Sequence, residues 1–282
     1  MPRSSRGSSA GHRHPSWPGP GNGCPAVGRR VDAIAHRSAA CGSTRPPVHE
    51  PPRRRSGRRG HGAQVVREGS LSGGWPPVSI EKMGIEAGRA YSRRAVEYAD
   101  LFGSMAAVHP SDRQLVDTWA DAVTGSVIDA GCGPGHWTNY LLQRGTPASG
   151  VDLSPDFIAH ARAHYPGVLF EVGNLDALGA ATGSLGGLIS WYSLIHHEPS
   201  TIQTPLTEFA RVLGPGGGLV LGFFEGSAIE KFDHAVLDAY KWPVSELSRE
   251  ICAAGFDVIE THTRTGASER PRPHGAIVAR RR

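Results

Sequence analysis

The stretch VIDAGCGPGHWT, residues 127–138, is followed by Asp152 at the end of GVD, and together they set the architecture of this chain. An apolar run breaks into a glycine loop, a helix follows, and a second apolar run ends in a carboxylate. Gly131, Gly133 and Gly135 permit positive φ and leave no Cβ between main chain and ligand. The helix opening near His136 turns its unpaired N–H groups and positive dipole end toward the same space, which favours an anionic group. Asp152 stands 21 residues after Gly131. At about that separation a β-α-β unit delivers an acid to a ribose diol, so the pattern describes a nucleoside-cofactor site.

A glycine loop also belongs to dinucleotide sites, whose G-x-G-x-x-G fingerprint needs a small residue at the third position for close helix–strand packing. Counted from Gly131, that position is His136, and the G-x-G-x-G spacing present instead suits a cofactor without pyrophosphate. These residues resemble the first signature, D-x-G-C-G-x-G, of the Rossmann-like class I S-adenosylmethionine-dependent methyltransferases. The likeness runs over most of residues 83–282.

Composition divides the chain. Residues 1–80 carry 13 arginines, no lysine and only Asp32, Glu50 and Glu68 as acids, a formal charge of +10; the remainder carries −6. The net charge of +4 therefore describes the tail, and a nucleic-acid footprint for the whole protein does not follow from it. Runs such as PPRRRSGRRGHG, with no sustained apolar period, cannot bury enough surface to offset ordering entropy, so the tail is expected to be disordered. Three readings of it stand: an accessory nucleic-acid-binding arm, a targeting peptide, or sequence upstream of a start at Met83. No stretch of about 18 apolar residues exists, so no membrane-spanning helix is expected. Cys24, Cys41, Cys132 and Cys252 lack C-x-x-C spacing, which argues against structural zinc and for a reducing cytoplasm.

From residue 81 onward about 200 residues suffice for one α/β domain. GRAYSRRAVEYADLFGSM reads as a helix, and Leu115, Trp119 and Val123 mark a second. SVIDAG, PASGVDL, VLFEVG, GGLISWYS and GGLVLGFF read as five strands alternating with helices, one capped by Ser154 and opened by Pro155, another opened by Thr204 and Pro205. PVSELSREICAAG is a further helix. FDVIETHT and HGAIVAR are two last strands without a helix between them, hence antiparallel. The expectation is a doubly wound, seven-stranded, mostly parallel sheet with an antiparallel terminal strand, ligands lying at the strands' carboxyl ends.

The resemblance implies roles residue by residue. Asp129, Gly131, Cys132, Gly133 and Gly135 would form the cofactor loop, and Asp152 with Leu153 would meet the ribose. Asn174, standing where the family commonly has an acid, would accept from the adenine amine, with Leu175, Asp176 and Leu178 around the ring; a plain polar turn is the alternative. In ISWYSLIHHEP, Trp191, Tyr192, Ser193, His196 and His197 would wall the sulfonium, whose positive charge suits aromatic faces. His196 and His197 are the candidates for general base, against helix capping or packing. Tyr91, Tyr98 and Arg94 would close over the methionine carboxylate. His160 and His164 have a metal-compatible spacing but no evident third ligand, and Arg264, Arg270 and Arg272 read as loop charges. The expected activity is methyl transfer from S-adenosylmethionine to a small-molecule acceptor. A nucleic-acid methyltransferase is disfavoured because SWYS lacks the Asn/Asp-Pro-Pro-Tyr pattern, and a non-catalytic cofactor-binding module remains open.

Overall fold

The computed structural model describes Ala99, residues 103–265 and residues 273–282. Tyr91, Arg94, Tyr98, Arg270, Arg272, Met83 and the tail 1–80 lie outside the described residues.

In order come α1 (Pro110–Ala122), β1 (Val127–Ala130), α2 (His136–Gln143), β2 (Ala148–Asp152), α3 (Pro155–His164), β3 (Phe170–Val172) and β4 (Leu185–Trp191). Then follow α4 (Gln203–Val212), β5 (Leu213–Glu225), β6 (Glu230–Phe232), β7 (Ala239–Trp242), α5 (Val244–Ala253), β8 (Phe256–Arg264) and β9 (His274–Arg281). Strands β3-β2-β1-β4-β5 lie side by side and parallel. β9 runs antiparallel along β5 from Gly218↔Arg280 to Phe224↔His274, and β8 pairs antiparallel with its far side. The seven expected strands are thus present, with the antiparallel insertion where it was expected. Two more belong to a hairpin that sequence reading passed over: β7 pairs parallel with the last two residues of β5, beyond the end of β4, and carries β6 on its outer edge. The helix expected through Met105 is confined, among the described residues, to Ala99; turns follow from Gly103, whose N–H bonds to the Ala99 carbonyl.

The strand period sorts the core into two layers. Along β5, Leu219, Leu221 and Phe223 point to one face with Leu206 and Phe209 of α4 and Ile251 of α5, while Val220 points to the other. That second face is covered by Leu115, Val116 and Trp119 of α1 and by Trp137 and Leu141 of α2. Trp119 reaches the sheet because Gly187 and Gly218, register partners on β4 and β5, leave room; a Cβ at either would sit 3.0 or 2.8 Å from the indole. α3 begins as its sequence demands, Ser154 Oγ accepting from the Phe157 N–H at 3.3 Å with Pro155 in the first turn. No described helix is long and apolar enough to cross a membrane.

Candidate functional site

Parallel α/β sheets bind ligands where strand ends give way to loops, and here the ends of β1, β2 and β4 meet around the glycine loop. Gly131, Gly133 and Gly135 have φ of 80°, 52° and 86°, a run of left-handed backbone that side chains would strain. The glycines face different surroundings. A Cβ on Gly131 would strike Ser193 at 2.2 Å, and one on Gly135 would strike the Phe170 ring at 2.6 Å, whereas one on Gly133 would meet nothing within 4 Å. Gly133 is the point at which main chain is open to a ligand.

The loop is fastened to the next strand by Asp152. Its Oδ2 accepts from the Gly133 N–H and its Oδ1 from the Ser154 N–H, both at 2.8 Å. One carboxylate thus sets the distance between the glycine loop and α3, and since each oxygen has two acceptor positions it retains capacity for a diol. Burial pushes the Asp152 pKa up, against the opposing pull of the Ser154, Gly133 and Leu153 N–H groups. Beneath the loop, Asp129 is fully buried and accepts from Thr138 Oγ1 at 2.7 Å. Desolvation outweighs that bond and raises its pKa to about 7. Burial likewise raises the Cys132 thiol, which packs with Ile158, Ala161 and Phe170 and acts as a wall rather than a nucleophile.

At the start of α2 the N-cap residue Gly135 supplies no side-chain cap, and while the Thr138 N–H is held by the Asp129 carboxylate, the helix start still favours an anion. His136, the first helical residue, has a buried Nδ1 without a hydrogen-bond partner, and burial lowers its pKa to about 4. Sequence reading used this residue only to exclude a dinucleotide. An open loop, an uncapped helix start, a fastened carboxylate and a buried orphan nitrogen fit a nucleoside ligand with an anionic end.

Past β3, Asn174 Oδ1 accepts from the Asp176 N–H at 3.0 Å, closing an Asx turn, so the side-chain oxygen expected to meet an adenine amine already has a partner. Leu175 and Leu178 are buried beside this turn. Asp176 Oδ1 pairs with His197 Nε2 at 3.2 Å, joining the turn after β3 to the segment after β4.

The end of β4 turns sharply. Tyr192 has φ 57°, the one non-glycine residue in the left-handed region among the described residues, and its N–H bonds to the Gly222 carbonyl at 3.0 Å. Trp191 packs edge-on against both Trp137 and Tyr192, with ring centres 5.8 Å apart in each pair. His196 Nδ1 lies 2.7 Å from the Asp238 carbonyl in the β6–β7 connection, and its ring stands 5.5 Å from that of His234. Burial lowers its pKa. Each histidine expected as a base thus has a structural partner. The structure corrects the reading of Arg264, which is no loop charge: it ends β8 and pairs with Asp112 of α1 at 2.6 Å. His160 and His164 stack at 3.8 Å on α3, and the described residues hold no metal-binding cluster of three or more such groups.

Residues 127–217 match the family described as methyltransferase domain. The chain is 28% identical over 109 residues to malonyl-[acyl-carrier protein] O-methyltransferase of Erwinia billingiae, covering 39% of this chain and 43% of that protein. It is 35% identical over 106 residues to trans-aconitate 2-methyltransferase of Methylobacterium nodulans, covering 36% and 38%. The matched stretches thus span less than half of these relatives. In structure it is similar to Burkholderia thailandensis 1,6-didemethyltoxoflavin-N1-methyltransferase, solved with S-adenosylhomocysteine, at a TM-score of 0.61 and 21% identity over 74% of this chain and 92% of that one. Residues 127–217 thus match a methyltransferase domain, and the surrounding chain shares the Rossmann-like fold of that solved enzyme.

Proposed function

We propose that this protein transfers a methyl group from S-adenosylmethionine to a small-molecule acceptor by in-line displacement. The observation that carries the proposal is the Gly133–Asp152 fastening, which holds an open glycine loop over an uncapped helix start. In this reading Gly131, Gly133 and Gly135 carry the cofactor's backbone contacts and Asp152, with Leu153, holds the ribose. The start of α2 faces the carboxylate of the methionine moiety, where Tyr91 and Tyr98 are its further contacts. Leu175 and Leu178 flank the adenine, while Asn174 and Asp176 shape the turn that receives it. Trp191 stands toward the sulfonium. The bound cofactor supplies an electrophilic methyl carbon; the protein aligns the acceptor with it and excludes water.

His196 and His197, tied to the Asp238 carbonyl and to Asp176, wall the acceptor side and position it. The acidic balance of residues 81–282 favours a metabolite over nucleic acid.

Calorimetry with S-adenosylhomocysteine tests the binding half. Wild type is expected to bind, and Asp152→Ala to bind on the order of tenfold or more weakly, the loss attending a charged hydrogen-bond acceptor. Isotope transfer from methyl-labelled cofactor into a metabolite extract tests the chemical half. Binding without transfer would mark a non-catalytic module; label appearing in added RNA or DNA would redirect the assignment to nucleic acid.

A further inference from the structure

Tyr192 and His274 come from segments 82 residues apart and meet at the carboxyl edge of the sheet. Tyr192 is the first residue beyond β4; His274 opens β9, opposite Phe224 of β5. The phenolic oxygen and the imidazole Nδ1 share a short hydrogen bond, and the rings stand edge to face at 5.5 Å. Phe224 backs both rings, 5.0 Å from Tyr192 and 6.0 Å from His274.

The pair borders β4 and β5, separated by β1 from β2, which ends in Asp152. Ser193, the next residue, lies directly over Gly131, with its Oγ 2.6 Å from that of Ser190. Asp152 ends β2 and Asn174 follows β3, whereas Tyr192 and His274 border β4 and β5. A nucleoside lying over β2 and β3 points its reactive end toward β4. Left-handed backbone is costly for a bulky residue, and Tyr192 adopts it where the chain leaves β4.

Resting on the proposed methyl transfer, we infer that Tyr192 and His274 form a proton relay that serves an acceptor arriving as a hydroxyl or N–H compound. In the step, the acceptor's lone pair forms the new bond to the methyl carbon while the carbon–sulfur bond breaks, its electron pair going to sulfur. The acceptor's proton passes to the Tyr192 oxygen as the phenolic proton passes to His274 Nδ1. The products are a methylated acceptor, a neutral thioether and an imidazolium that returns its proton to solvent. This requires Nδ1 to hold a lone pair beforehand. Burial, and then the Arg264 charge, favour the neutral ring, against the opposing pull of Asp112, which is ion-paired to Arg264 at 2.6 Å; His109 is the further titratable neighbour.

The test uses the full chain, as wild type, Tyr192→Phe and His274→Gln. Nitrogen NMR of histidine-labelled protein is expected to show His274 protonated on Nε2 and its Nδ1 signal shifted by Tyr192→Phe; an Nδ1-protonated tautomer overturns the relay. All three proteins are expected to bind S-adenosylhomocysteine within about twofold of one another, since Tyr192→Phe keeps the aromatic face and this ligand carries neither the methyl group nor the sulfonium charge. Failure of wild type to bind counts against the methyltransferase reading itself, and a selective tenfold loss in Tyr192→Phe counts against the relay, assigning the phenol to cofactor binding. With methyl-labelled cofactor and a metabolite extract, label is expected in base-stable ethers or N-methyl compounds, reduced on the order of 10²-fold by Tyr192→Phe. The residual rate should climb with pH as the acceptor ionises unaided, a change in profile that a merely structural role would not produce. Base-labile methyl esters as the product, undiminished transfer in Tyr192→Phe, or cofactor binding with no transfer each overturn the relay.

Discussion

Gly133 and Gly135 look interchangeable in sequence, and their surroundings separate them. Both have positive φ, so alanine at either costs roughly 1–2 kcal/mol in backbone strain. At Gly135 the added Cβ also meets the Phe170 ring and Ala161, adding about 1–3 kcal/mol of overpacking. Gly135→Ala should therefore lower the urea midpoint clearly more than Gly133→Ala. Gly133→Ala should instead weaken S-adenosylhomocysteine binding at least tenfold with only the smaller stability loss, as paired denaturation and calorimetry would measure. Asp129 gives a prediction in pH. Its folded pKa of about 7 lies above the ordinary aspartate value of 3.8, so its stabilising contribution is present below that value and is lost as pH rises through 7. Asp129→Asn removes the cost of the buried charge, so its stability relative to wild type should increase between pH 5 and pH 8; a constant difference would show Asp129 to be ionised throughout. His136, lowered to about 4, has the opposite sign: its contribution is present above 6.5 and lost as pH falls through 4. The glycines and Asp152 were legible because ligand chemistry constrains residue type and spacing. Tyr192 was legible only as an aromatic, since nothing in a tyrosine announces left-handed backbone.

Elements were readable where a period or a cap was long enough to stand out. Ser154-Pro155 announced α3 through the stereochemistry of a helix start, and replacing Ser154 by alanine should cost about 1 kcal/mol in the urea midpoint through loss of the bond to the Phe157 N–H. A loss well below that would transfer the work of starting α3 to Pro155 and to the Asp152–Ser154 N–H contact. The β6–β7 hairpin escaped notice because strands of three and four residues cannot display a recognisable alternation, and their pairing is decided by tertiary contacts. β7 is held by Tyr240 and Trp242 buried in the main core, and by the Tyr240 N–H on the Ile195 carbonyl at 2.8 Å. Likewise β5 begins at Leu213, just ahead of the Gly-Pro-Gly-Gly-Gly run at 214–218, because α4 ends at Val212 and the strand starts at once.

At the scale of the whole molecule, the charge division bears directly on function. The first 80 residues carry +10 and the remainder −6, so any attraction to polyanions resides in the tail while the candidate site belongs to the acidic part. Counterion release makes such attraction steeply dependent on salt, the logarithm of affinity falling with a slope near −0.9 for each phosphate neutralised. The full chain should therefore bind duplex DNA weakly at 50 mM salt and lose that binding by 200 mM, as fluorescence anisotropy would follow. A chain beginning at Met83 should not bind DNA at either concentration, yet should bind S-adenosylhomocysteine with the same affinity as the full chain at 200 mM salt. If shortening abolished cofactor binding, the tail would belong to the site, and the division drawn at residue 80 would be wrong. If the shortened chain retained salt-dependent DNA binding, the acidic domain would possess a basic face that overall charge conceals, and a nucleic-acid acceptor would regain its standing. Cofactor affinity indifferent to the tail, joined to polyanion affinity that vanishes with it, would separate two properties that the net charge of +4 merges into one number.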